Sequence, residues 1–314
     1  MGSLSQLLSL YPVRTALDIR CRFGAAWVLD HGGSGAGVAP YHLVVRGGGR
    51  LEVGGQKDIR LEPGDIVLFP TGSPHRLYSE GGLEAPVAAR EQDGGPLRLL
   101  YNEGDAPETG ILCGQFEFSH GKANALLAAL PDVVHIRTRE RGDLVMLRSL
   151  LEMLRVETES ERPGARAVIS QLASALFALL MRAWMEQTAS TPGLFALLAE
   201  PRLRSALQGM LAAPEHPWQL AELAAACNMS RATFARVFQK AANATPAEIL
   251  TRTRMARAAV LLGEGRLQMG EVAERVGYQS EAAFNRVFKR YYGIAPGSYR
   301  RGIAAGLRVE PGKG

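Results

Sequence analysis

The sequence predicts an α+β protein of two domains: an N-terminal β-barrel with a helical bundle, then a C-terminal all-α domain built on two helix-turn-helix units. Three observations carry this reading. Residues 27–118 hold short β-type runs between Gly and Pro turns, two long segments between 143 and 187 have helical apolar spacing, and one phrase is written twice near the C-terminus. The expected boundaries are a sensor domain over 1–190, with its barrel at about 15–120 and a helical coupling or dimerisation region at about 123–188, and a second domain over 195–302.

A chain of 314 residues, 46% apolar and 21% charged, can bury more than one core. The longest apolar run, residues 172–185, is broken by Arg182 and is short for a bilayer span, and the N-terminus has no charged segment leading into an apolar one. A cytoplasmic protein without membrane contact is expected. Its three cysteines, an odd number, argue against a disulfide framework and leave reduced thiols as the default.

In the barrel, YHLVVRG, RLEVGG and DIVLFP are the clearest strands, and Cys21 (in IRCRFGAAWVL) and Cys113 (in GILCGQFEF) lie in strand-like runs at its two ends. Residues 79–109, rich in Gly, Pro and charge, read as a long loop. DLVMLRSLLEMLRVE and ARAVISQLASALFALLMRAWMEQ follow as helices whose apolar faces are broad enough to pack on the barrel or to meet a second copy of the chain.

The repeat pairs Ala232 with Ala282, Phe234 with Phe284, Arg236 with Arg286, Phe238 with Phe288 and Pro246 with Pro296 at a constant offset of fifty. In each copy Phe, Val and Phe fall at i, i+3 and i+4, a stripe that buries one side of a short helix and leaves Arg and Lys on the other. Ser230 and Ser280 stand where an N-cap belongs, and Asn228 and Gly277 end the preceding helices with residues that tolerate positive φ. Thr245, Pro246 and Glu248 open a connecting helix with a capping box, and it runs to Leu262. That rod holds two helix-turn-helix units apart, so that they can enter successive major grooves. Residues 201–314 hold 17 Lys+Arg against 8 Asp+Glu, whereas residues 1–200 hold 19 against 23. Such a surplus suits phosphate neutralisation, although a basic solvated face has the same composition.

These residues resemble the DNA-binding domain of AraC/XylS-type transcription regulators over about 195–302. GYQSEAAFNRVFKRYYGIAPGSYR is similar to that family's signature, with its glycine-aromatic turn, Phe-x-Arg-x-Phe-Lys helix and terminal Pro-x-x-Tyr-Arg. The resemblance implies groove-facing Arg231, Ala232, Ala235 and Arg236 in the first reader and Ala282, Asn285 and Arg286 in the second. Arginine can donate two hydrogen bonds to guanine, which singles out Arg236 and Arg286. Lys240, Lys289 and Arg290 are placed to hold phosphates, and a phosphate clamp or an intramolecular ion pair is the alternative for the two arginines.

LEPGDIVLFPTGSPHRL resembles the second conserved motif of cupin barrels, with Pro63, Gly64, Asp65, Gly72 and His75. Cupin enzymes hold metal through a His-x-His, Glu and distant His set, and only His42 and His75 fit such places, with His31 a loose third. The acidic ligand is missing, so neither a cofactor nor catalysis is expected, and His42 and His75 are the candidates for contact with an effector or a metal. LSQLLSLYPVRTALDIRCRFGAAWVLDH, the PGDIVLFPTGSPHRL run and LCGQFEF together resemble the reactive-chlorine-sensing branch of AraC-type activators. That branch implies redox-sensing cysteines at Cys21 and Cys113, whereas by residue type alone both are equally small buried hydrophobes. Arg20 and Arg22 flank Cys21, but neighbours in a strand point to the opposite face. Cys227 reads as core. The expected partners are double-stranded promoter DNA, RNA polymerase and an oxidant, or else a small-molecule or metal effector.

Overall fold

The computed structural model describes residues 2–81, 86–105, 107–118, 124–139, 141–188 and 191–304. Helix α1 (Ser3–Leu10) leads into strands β1 (Val13–Phe23), β2 (Val28–His31), β3 (Val38–Arg46), β4 (Gly49–Val53), β5 (Gln56–Leu61), β6 (Ile66–Leu68), β7 (His75–Tyr78), β8 (Arg90–Gly94), β9 (Leu97–Asn102) and β10 (Thr109–Phe118). Helix α2 (Ala125–Ala128), strand β11 (Val134–Ile136) and helices α3 (Val145–Thr158) and α4 (Ala165–Gln187) follow. The remainder is helical: α5 (Leu194–Ala199), α6 (Arg204–Ala212), α7 (Leu220–Ala226), α8 (Arg231–Ala242), α9 (Pro246–Glu264), α10 (Met269–Arg275), α11 (Glu281–Tyr292) and α12 (Pro296–Ala304).

The chain divides into two compact units. One comprises Val13–Glu117 and Leu130–Ala183; the other gathers α1, α2 and the chain from Trp184 onward. The division therefore crosses the boundary expected at residue 190. Leu7 and Leu10 of α1 and the adjacent Tyr11 are buried, and they line a cavity with Leu207 and Leu211 of α6 and Ile249 of α9.

The β unit has a larger sheet in the order β11-β6-β3-β10-β1-β9-β8 and a smaller one in the order β2-β7-β4-β5. Alternation sorts β1: Leu17, Cys21 and Phe23 are buried while Arg14, Asp18 and Arg22 are exposed. A shared core joins Cys21, Phe23, Val44, Val67, Phe69, Ile111 and Cys113 of the larger sheet side to Leu51, Val53, Leu61 and Leu77 of the smaller. Beside Cys113, Gly114 lets the Tyr41 hydroxyl pass and donate to the Ala16 carbonyl at 3.0 Å; a Cβ there would collide with both groups.

The loop expected at 79–109 is corrected by β8 and β9. β9 pairs in parallel with β1, setting Cys21 against Leu100, and buries Leu97 and Leu99 at alternate positions. β8, REQDG, is exposed and almost wholly polar, so backbone hydrogen bonding to β9 holds it without a hydropathic signal.

α3 buries Leu147, Leu150, Leu151 and Leu154 and leaves Met146 and Met153 exposed. α4 spans the segment expected to be helical. By length and composition its 23 residues could cross a membrane, yet Ile169, Ala173, Leu176, Phe177 and Leu180 are buried, and Phe177 tilts on Phe116 with ring centroids 4.9 Å apart. A core helix of this kind has the same composition as a span.

Candidate DNA-reading surface and barrel thiol site

The helical unit builds the two readers as the repeat requires. Asn228 (φ 53°) and Gly277 (φ 81°) close the first helix of each unit in the left-handed region. Ser230 accepts the Thr233 N–H and Ser280 the Ala283 N–H, both at 3.2 Å, fixing the starts of α8 and α11. Phe234, Val237 and Phe238 are buried on one side of α8, and Phe284 and Phe288 on the matching side of α11. Burial of those stripes turns Arg231, Ala232, Arg236 and Lys240, and likewise Ala282, Arg286, Lys289 and Arg290, to solvent; Ala235 and Asn285 are half-exposed. Among the described residues neither Arg236 nor Arg286 forms an ion pair.

The connecting helix α9 has its capping box: Thr245 N–H donates to Glu248 at 2.7 Å and Glu248 N–H to the Thr245 hydroxyl at 3.3 Å. Its 19 residues make a rod of about 28 Å at ~1.5 Å per residue. One face packs Met255, Ala258, Ala259 and Leu262 against Phe284, Phe288, Tyr292 and Tyr299 of the second reader. Sequence reasoning missed Arg254 on this rod. It donates to the carbonyls of Pro214 (2.7 Å) and His216 (3.1 Å), which precede the first reader, and its guanidinium lies 5.7 Å from the centre of the Tyr278 ring in the second reader's turn. No local signal singles it out, since Arg252 and Arg257 stand in the same helix and its partners are remote along the chain. Cys227 corrects the core assignment: it is the half-exposed C-cap of α7, whereas its counterpart Val276 is fully buried.

In the barrel, the Cys21 and Cys113 sulfurs lie 3.9 Å apart, both thiols free. The sheet order explains the meeting: β1, β10 and β3 are adjacent, and Cys113 is the direct partner of His42 in the β10–β3 register. Residues opposite each other share a face, so His42 Nδ1 reaches Cys113 Sγ at 3.0 Å. From the smaller sheet, His75 presents Nε2 to His42 Nε2 at 2.8 Å. His31, the register partner of His75, stacks on it with ring centroids 4.8 Å apart. Sequence placed His42 and His75 together; the structure adds His31 as a full member.

Burial and neighbouring groups disfavour charge on Cys113 and the three imidazoles. The hydrogen bond with Cys21, then burial, pushes the Cys113 thiol well up. Burial, reinforced by the neighbouring imidazoles, holds His42 well below the usual histidine range; burial brings His75 down to about 4 and lowers His31. A cavity of about 30 Å³ touches Cys21 and is lined by Arg20, Arg22, Arg46 and Arg155, with Glu108 and Glu159.

A domain that presents two capped reading helices on a stiff connector, preceded in the chain by a β-barrel, defines a DNA-binding transcription regulator. Residues 3–186 match the family described as Cupin and residues 223–302 that described as Helix-turn-helix domain. The chain is 32% identical to the RCS-specific HTH-type transcriptional activator RclR of Escherichia coli (strain K12), over 96% of this chain and 98% of that protein. It is 29% identical to the HTH-type transcriptional regulator MtrA of Neisseria gonorrhoeae, over 96% and 98%. Among solved structures it is similar to the DNA-binding domain of AdpA in complex with a target DNA, at 30% identity over 34% of this chain and 95% of that one, with a TM-score of 0.32. The chain belongs to the AraC-type family of DNA-binding transcription regulators, with a cupin domain at its N-terminal end.

Proposed function

We propose that this regulator is an activator switched by oxidation of Cys21 and Cys113, and that reactive chlorine is its signal. One observation carries the reading: two free thiols from the first and tenth strands stand 3.9 Å apart in the barrel core. The RCS specificity in the name of the E. coli relative supports it. Cys21 reacts first, because its hydrogen bond and burial push the Cys113 thiol well up: Cys21–SH and HOCl give Cys21–S–Cl and water. Cys113 sulfur then attacks the Cys21 sulfur, forming the S–S bond and expelling chloride, while the Cys113 proton leaves towards His42 Nδ1, an acceptor at 3.0 Å. On the DNA side, Arg236 and Arg286 read base edges beside Arg231, Ala232, Ala235, Ala282 and Asn285, and Lys240, Lys289 and Arg290 hold phosphates; the exposure of the charged members supports this.

The test is thiol mapping by mass spectrometry before and after mild hypochlorite, with promoter binding and transcription measured on the same samples. A Cys21–Cys113 linkage that tracks transcription and is lost in Cys21→Ser supports the reading. An unchanged hypochlorite response in Cys21→Ser and Cys113→Ser refutes it.

A further inference from the structure

We propose that His31, His42 and His75 form a binding site for one borderline transition-metal ion, with Zn²⁺ as the reference occupant. Each ring offers one nitrogen, and the three atoms lie within 4.8 Å of one another. His42 and His75 are 1% and 5% exposed, and His31 closes the set from the half-buried end of β2.

Hydrogen-bond valence shows which atoms are free. The Ser73 carbonyl can only accept, so the 2.8 Å contact to it places a hydrogen on His75 Nδ1. Neutral His75 therefore points a bare Nε2 lone pair at His42 Nε2, 2.8 Å away. A single proton between those two atoms satisfies both. A cation seated there, with His31 beside it, satisfies three nitrogens at once. Metal binding shifts the His42 hydrogen from Nε2 to Nδ1, which then donates to Cys113 Sγ at 3.0 Å. Each buried ligand is thereby held from behind, His75 by a carbonyl and His42 by a sulfur, the outer-shell arrangement that fixes the tautomer of metal-bound histidines.

The set lacks the carboxylate of the His-x-His, Glu and distant His arrangement, and its third imidazole comes from β2. Three neutral imidazoles with an open fourth position suit Zn²⁺, and imidazole also suits copper and nickel. Cys113 stands behind His42 rather than among the ligands, which makes the site separable from the thiol pair by mutation. The proposal does not depend on the oxidation reading.

The full-length, chelator-treated, reduced protein is titrated with Zn²⁺ and bound metal is counted by elemental analysis. Co²⁺ in parallel reports the ligands through its visible absorption. Expected are one ion per chain, a nitrogen-rich Co²⁺ spectrum without a thiolate charge-transfer band, a melting temperature raised by Zn²⁺, and at least ~100-fold weaker binding in His31→Ala and in His75→Gln. Cys113→Ala, which removes an outer-shell partner, weakens binding by ~10- to 100-fold without abolishing it, and Cys21→Ser leaves it in place. Should His75→Gln fail to fold, His31→Ala, at the strand end, decides the matter. The proposal is overturned by absence of stoichiometric Zn²⁺, by full-affinity binding in His31→Ala, or by a thiolate band lost in Cys21→Ser. Hypochlorite mapping of Cys21 and Cys113 in His31→Ala tests the redox reading separately.

Discussion

Oxidation of the barrel thiols has a stability consequence that can be worked from their positions. The two cysteines are 92 residues apart in sequence, so a Cys21–Cys113 bond closes a loop of that length in the unfolded chain. The chain-entropy relation gives about 4.6 kcal/mol of stabilisation at 25 °C for such a loop. The sulfurs must approach by roughly 1.9 Å to reach bonding distance, a movement within reach of side-chain rotation on neighbouring strands. Losing the hydrogen bond between Cys113 and His42 costs about 1 kcal/mol. The net gain of about 3.6 kcal/mol raises the melting temperature of a unit this size by roughly 7 to 14 °C. The assay is calorimetry or circular dichroism of the full chain, reduced and hypochlorite-treated, with the linkage verified by mass spectrometry. A verified linkage with no rise in melting temperature would refute the claim that the native barrel holds these sulfurs ready to join.

Other consequences concern the reading domain. Arg286→Ala should lower affinity for the preferred base pair by ~5- to 150-fold while leaving sequences altered at that position nearly unaffected, whereas Lys289→Ala should weaken all sequences alike and reduce the salt slope by about 1; binding titrations at several salt concentrations separate the two. Phe288, fully buried between the Phe284, Tyr292 and Tyr299 rings, should cost about 3–5 kcal/mol when cut to Ala, read as a denaturation midpoint and as loss of specific DNA binding. Gly277→Ala puts a Cβ 2.5 Å from the Glu215 carbonyl at a φ of 81°; it should lower the melting temperature, whereas Asn228→Gly, at the equivalent turn, should not. Thr245→Ala removes the cap of the connector and should cost about 1 kcal/mol, visible in the same melts.

The reading domain was legible because its instructions are local. A serine cap, a left-handed turn residue and a Phe stripe each act within one or two helical turns, and the duplication displayed them twice. The barrel was legible where alternation survives, as in β1 and β4, and illegible in β8, whose REQDG carries no buried side chain. The thiol and imidazole cluster lay between these cases. His42 and Cys113 could be nominated by motif, but their adjacency depends on the β10–β3 register, and the inclusion of His31 depends on its pairing with His75 across β2 and β7. Pairings between strands far apart in sequence leave no periodic mark. Arg254 escaped for the same reason, since its partners at 214, 216 and 278 are remote along the chain.

The parallel pairing of β1 with β9, and the place of β1 beside β10, also bears on how the protein is born. An emerging chain exposes its first cysteine long before the strands that will shelter it exist; at ~5–20 residues per second, the wait for the second is on the order of 5 to 20 s. During that interval the thiol is open to solvent, whereas in the finished barrel it is buried. Oxidants thus reach that thiol more readily in new copies of this regulator than in old ones, and a thiol response of the kind proposed above would rest on the mature pool.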